Sequence, residues 1–125
     1  MFHPSLITGQ SLFYNGGTAY YTPWAAAGGN GANAAFSILA IHGSGTLTVT
    51  VETKKPGDDD SAIGATDWSS GSKNSVAIHA WKAGQEAGDG ATDGFNGLIR
   101  LKIEIGGTVT ADGVYFDMLP MGWLT

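Results

Sequence analysis

Residues 98–105, Leu-Ile-Arg-Leu-Lys-Ile-Glu-Ile, alternate apolar and charged side chains without a break. Ile99, Leu101, Ile103 and Ile105 fall on one face, and Arg100, Lys102 and Glu104 on the other. This is the period of two of a strand with one buried and one wet face. A helix would scatter the same residues around its circumference, so the pattern predicts a strand. At about 3.3 Å per residue it reaches roughly 26 Å, enough to cross a small domain and template its neighbours.

The same reading extends along the chain. Residues 46–53 alternate Leu47, Val49 and Val51 with Thr46, Thr48, Thr50 and Glu52, and threonine suits a wet strand face because its β-branch favours extended backbone. Residues 34–42 are almost continuously apolar, as expected of a strand covered on both faces. The turn Gly43-Ser44-Gly45 between these two segments predicts a hairpin. Residues 75–83 and 114–119 alternate as well, with Val114, Phe116 and Met118 on one side of the latter and Pro120 ending it. The aromatic stretches 11–15 and 19–24 flank Asn15-Gly16-Gly17, a signal for a hairpin turn, whereas 25–33 is rich in glycine and asparagine and is predicted to be loop. Residues 63–69 are predicted to form a short edge strand carrying Trp68.

Seven or eight short strands, with turn signals between them and no amphipathic helix, predict an all-β fold. The expected architecture is a single-domain antiparallel β-sandwich, jelly-roll-like, over residues 1–125. Residues 1–9 read as an extended N-terminal arm and 120–125 as an apolar C-terminal tail.

Composition adds constraints. Charged residues make up only 14% of the chain, against roughly 25% in an average soluble domain, and a surface so poor in charge favours contact with other protein. With no cysteine, disulfides, thiolate catalysis and cysteine-bound metals are excluded. The net charge of -5 comes with no basic cluster larger than Lys54-Lys55, so no nucleic-acid partner is expected. The N-terminus lacks the apolar core of a signal peptide, and no apolar run is long enough to span a bilayer as a helix. The expectation is a protein made in the cytoplasm, with no membrane partner.

The candidate chemistry is thin. Lys55-Pro56-Gly57-Asp58-Asp59-Asp60 offers carboxylates to Ca²⁺ but lacks the alternating ligand spacing of an EF-hand, and reads as a solvated turn. Residues 88–95 resemble one copy of a calcium-binding nonapeptide repeat, which binds only when stacked. His3, His42 and His79 form no ligand pair, and His42-Gly43-Ser44-Gly45 is a turn before it is a catalytic element. No catalytic residue, cofactor or metal ligand is assigned, and the chain is expected not to be an enzyme. Trp24, Trp68, Trp81 and Trp123 present flat apolar faces that could stack on sugar rings. Aromatic enrichment with depleted charge is also the signature of protein interfaces, and that reading is preferred. Phe2, Pro4 and Leu6 in the arm, with Trp24, Trp123 and Leu124, are the candidate interface residues.

Four segments together carry a family resemblance: Tyr21-Thr22-Pro23-Trp24 before a Gly-rich turn, the 46–52 strand, the 98–103 strand, and Tyr115-Phe116-Asp117-Met118-Leu119-Pro120 running to Trp123. The pattern resembles small all-β structural proteins of tailed-bacteriophage virions, of the head-decoration or accessory kind. The resemblance implies a non-enzymatic virion protein that stabilises or decorates a capsid through subunit interfaces. Its partners would be further copies of itself and other virion proteins, and a carbohydrate- or receptor-binding module is the alternative.

Overall fold

The computed structural model describes residues 10–14, 19–60, 68–84, 94–108 and 111–124. Nine strands lie among them: β1 (Gln10–Tyr14), β2 (Tyr20–Tyr21), β3 (Ala25–Ala26), β4 (Gly31–His42), β5 (Thr46–Lys54), β6 (Ile78–Gly84), β7 (Leu98–Gly106), β8 (Gly113–Met118) and β9 (Gly122–Leu124). The described residues include no α-helix, and every strand pairing is antiparallel.

The strands form two sheets. In the first, the order is β1-β8-β4-β6, with β9 continuing the line of β8 along β4. In the second, β7 is central: β5 pairs along its whole length on one side, and β2 and β3 share the other. The strand predicted at 98–105 thus runs from Leu98 to Gly106 with neighbours on both sides. The far side of β5 carries two bridges, Leu47 to Lys73 and Thr50 to Ser69.

Two strand lines are interrupted where proline cannot donate to a ladder. Pro23 separates β2 from β3, and there Thr22 fills the gap: its Oγ1 accepts the Leu101 N–H at 2.8 Å, while its own N–H donates to the Leu101 carbonyl at 3.0 Å. Pro120 separates β8 from β9. The chain nests its pairings, first line with last, second with seventh, third with sixth and fourth with the 69–73 segment, as if one long hairpin had been folded over on itself.

The inner faces of the two sheets meet in a single apolar cluster. Phe36 and Ile38 of β4, Leu47, Val49 and Val51 of β5, Ile99, Leu101 and Ile103 of β7, and Val114 and Phe116 of β8 are almost wholly excluded from solvent. Burying one such side chain contributes about 1.5–3 kcal/mol relative to leaving it in water. Phe36 meets Phe116 edge-on with centroids 6.2 Å apart, and Trp81 likewise at 5.6 Å.

Several expected local pairings differ from this arrangement. The hairpin predicted around Asn15-Gly16 is not made, because β1 pairs with β8 in one sheet and β2 with β7 in the other. Nor do β4 and β5 form a hairpin: the Gly43–Gly45 turn carries the chain from one sheet to the other. Residues 25–33 are not all loop. Ala25–Ala26 pairs with β7, and β4 begins at Gly31, because neighbouring strands on both sides supply ladder partners that outweigh the low strand propensity of glycine and asparagine. The expectation that 34–42 is covered on both faces fails at Leu39. Alternation places it on the outer face with Ala35 and Ser37, where it is 37% exposed, and the register shifts just beyond it, between Ile38 and Ala40. The strand predicted from residue 75 starts only at Ile78. Of the predicted edge strand at 63–69, residues 63–67 lie outside the described residues, and Ser69 bridges Thr50.

Candidate functional site: a closed charged cluster and an open apolar edge

The outer face of the β7 sheet carries a compact cluster. Glu52 and Arg100 are cross-strand partners on β5 and β7, so their side chains emerge side by side. Arg100 Nε donates to Glu52 Oε1 at 2.8 Å, and its Nη1 lies 3.4 Å from Asp60 Oδ2. Lys54, two residues along from Glu52, donates to Asp60 Oδ1 at 3.1 Å. Two aromatic rings lie over these cations. The Arg100 guanidinium is 4.2 Å from the Tyr21 centroid and 4.6 Å from that of Trp24, and the Lys54 ammonium is 4.6 Å from the Trp24 ring. The Trp24 indole N–H donates to Asp60 Oδ1 at 3.2 Å.

The cluster shields Arg100, Lys54 and Glu52 from water and leaves Asp60 exposed at its rim. The Arg100 and Glu52 side chains retain only 12% and 9% of their exposure. The hydrogen bond from Lys54, and the nearby positive charges of Lys54 and Arg100, hold the Asp60 carboxyl below its usual pKa. Each cation thus has an acid and a ring, and each acid a cation. The predicted solvated turn at 55–60 ends in this network, with Asp60 engaged by Lys54, Arg100 and Trp24. No cluster of metal-ligating side chains occurs among the described residues, and most of the 88–95 segment lies outside them.

A second acid ties two turns together. Asp112 follows the β7–β8 turn and is 7% exposed. Its carboxylate accepts the backbone N–H groups of Ser44, at 2.8 Å, and of Thr108, and these two bonds lower its pKa. The β4–β5 turn is thereby fastened to the β7–β8 turn. Gly43 sits at φ 64°, and a Cβ there would lie 1.9 Å from Asp112 Oδ1, so glycine is required both for the backbone angle and for the approach of the acid.

No protein-family description, curated protein or solved structure matches the chain. What the site does must therefore be argued from its own geometry.

The sequence-predicted interface residues are dispersed. Phe2, Pro4 and Leu6 lie outside the described residues. Trp24 belongs to the charged cluster. Trp123 and Leu124 lie in β9, paired with Ala32 and Gly31 of β4, and Trp123 packs against the core, edge-on to Phe95 at 6.2 Å. Phe95 in turn meets Trp68 at 5.4 Å, and the Trp81 N–H donates to the Trp68 carbonyl at 3.1 Å. Three of the four tryptophans therefore close one end of the sandwich. Of the histidines, His3 is outside the described residues, His42 is an exposed strand end, and His79 donates from Nε2 to the Ser75 carbonyl at 2.9 Å and packs on Phe36.

The outer face of the β4 sheet has the opposite character. Asn33, Ala35, Ser37 and Leu39 on β4 run beside Ala80 and Ile78 of β6 and then Val76. Val76 is 63% exposed and Ile78 is 66% exposed. Sequence reasoning missed both this strip and the Glu52–Arg100 pair. The pair was legible in principle, as opposite charges on the wet faces of two strongly alternating strands. The strip was not, because its exposure depends on β6 being the last strand of its sheet.

Proposed function

We propose that the chain is a non-enzymatic structural protein of a virus particle, a capsid decoration or other accessory virion protein that acts through subunit interfaces. The observation that carries this reading is the nested pairing of the two sheets. With β2 and β3 taken as one interrupted line and 69–73 as the partner of β5, the pairing supports reading the sandwich as a jelly roll, an architecture used by capsid and lectin domains. Fold alone does not assign function. The choice between those uses rests on the surfaces: an uncharged apolar strip with exposed Leu39, Val76 and Ile78 suits protein contact, and the charged residues of the β7 sheet are engaged with one another.

The carbohydrate reading is supported by Tyr21, which is 50% exposed and stands beside Trp24 with Arg100 bracing both rings. Two rings so fixed could stack on a sugar, although the Trp24 N–H is already donated to Asp60. The discriminating experiment combines sedimentation of the purified protein over micromolar to millimolar concentration with a glycan-array screen. Reversible or closed self-association without glycan binding is expected. A protein that stays monomeric and binds a glycan through Tyr21, losing it on Tyr21→Ala, would transfer the assignment to the sugar-binding reading.

A further inference from the structure

We infer that β6 is a self-association edge, at which a second copy of this chain adds its own β6 antiparallel across a two-fold axis near Ala80. The inference rests on the assembly reading above and names the surface that reading leaves open. The backbone argument comes first. Ile38 N–H donates to the Ala77 carbonyl at 3.0 Å, and the register runs from Ser37 opposite Ile78 to Gly31 opposite Gly84. In an antiparallel ladder the bonded pairs alternate, so His79, Trp81 and Ala83 turn their backbone groups toward β4. Ile78 and Ala80 therefore turn theirs away from it, and among the described residues no strand pairs with that side of β6. The occupant that satisfies a row of outward N–H and C=O groups is another extended strand.

Comparison of the sheet edges leaves two open among the described residues, β6 and the shorter, five-residue β1 at the other end of the same sheet, of which β6 is the longer and is flanked by exposed apolar side chains. The edge formed by β2 and β3 is cut by Pro23 into two-residue pieces, and the far side of β5 is covered by the bridged 69–73 segment. Short strands, proline and covering segments are the usual ways of blunting an edge. β6 has seven residues, no proline and a single charge, Lys82, near its far end.

The occupant is a second copy because the strip is complementary to itself. A two-fold contact sets each patch against its own duplicate, so like charges at its centre would repel. The chain carries a net charge of -5, yet Asn74, Ser75, Val76, Ala77, Ile78, His79 and Ala80 include no acid. An axis at Ala80 pairs the two strands within β6, puts Ile78 opposite the partner's Lys82 and keeps the two Lys82 side chains apart. The two outer faces then continue as one sheet, with Val76, Ile78 and Leu39 of both copies forming a shared apolar band.

The area sets the strength. A strip of about seven residues is roughly 23 Å long, and with three partly exposed apolar side chains it falls well short of the ~800 Å² per partner of a stable dimer. The pairing is therefore weak in dilute solution and gains strength when copies are held together in an array.

Sedimentation equilibrium of the full chain from about 10 µM to 1 mM tests this, with Ile78→Lys and Ala80→Pro as variants and Glu104→Lys as a control on the other sheet. The wild type and the control should shift from monomer to dimer with rising concentration. Both β6 variants should stay monomeric at least tenfold higher, with unchanged circular dichroism and melting. Ala80→Pro removes only an outward N–H, so it reads the edge itself. If the variants self-associate like the wild type, the β6 edge is wrong while the assembly reading survives on another surface. If the wild type is monomeric at 1 mM, the β6 edge is wrong and the assembly reading loses its support as well.

Discussion

The two outer faces of this sandwich handle exposure in opposite ways. On the β7 sheet, charged residues emerge from adjacent strands and are roofed by Tyr21 and Trp24, so that Glu52, Arg100, Lys54 and Asp60 satisfy one another. On the β4 sheet the outer face carries Lys82 on β6 and Asp117 on β8, set apart from each other by β4, and it ends at β6 with Val76 and Ile78 in water. The first face is closed by the chain's own side chains. The second is left for something else to close. Substitutions on the β7 face should therefore be read mainly in stability, and substitutions at β6 mainly in association.

The largest expected effect calibrates the comparison. Leu101 is fully buried beneath the charged face, and Leu101→Ala should cost about 2–5 kcal/mol in a denaturant titration. A loss under half a kcal/mol would mean that the two sheets do not share this core. On the outer side of the same sheet, Glu52→Leu leaves the Arg100 guanidinium under two rings with only the longer contact to Asp60. A loss of about 1–3 kcal/mol is expected. Adding Arg100→Met should recover part of it, because a shielded ion pair replaced as a unit costs less than one partner removed. Strictly additive losses would show that the pair is solvated and the roof irrelevant.

Acid provides the next test. Asp112 and Asp60 both have folded pKa values below the ordinary carboxylate value. A group whose pKa is lower in the folded state stabilises the fold above its unfolded pKa, and that contribution fades as pH falls through the ordinary value toward the folded one. Melting temperature should therefore drop below about pH 4. Asp112→Asn should lower it at pH 7 and make the acid drop shallower, while an unaltered acid limb would show that the tie between the two turns is not ionic. The smallest effect is expected at the open edge, where Ile78→Ser should change stability by less than about 0.5 kcal/mol in dilute solution. A larger loss would mean that Ile78 is packed, and the contrast between the faces would disappear.

How much of this was legible in the sequence follows from which interactions are local. The strands β5, β7 and β8 and their inward residues can be read directly, because alternation is a property of consecutive residues and burial of one face enforces it. The partners of those strands cannot. Asn15-Gly16-Gly17 and Gly43-Ser44-Gly45 have the chemistry of hairpin turns, yet each joins strands of different sheets, since nested pairing places the partners of β1 and β4 far along the chain, in β8 for β1 and in β6, β8 and β9 for β4. The roofed ion pair needed knowledge that β5 lies in register on β7, with Glu52 opposite Arg100. The reading of Trp123 as an apolar end free to contact a neighbour did not anticipate β9, in which the same residue pairs with Ala32 and packs on Phe95.

The central claim is that one face is complete and the other is completed by a second copy, and amide hydrogen exchange measured on the same sample at about 20 µM and about 1 mM tests it most directly. In the β7 sheet, the exchange of Glu52 and Arg100 should be the same at both concentrations. In β6, the amides of Ile78 and Ala80 should slow severalfold at the higher concentration, while those of His79 and Trp81, already paired with β4, change much less. Equal exchange of Ile78 and Ala80 at both concentrations, or slowing confined to the β7 sheet, would contradict the account.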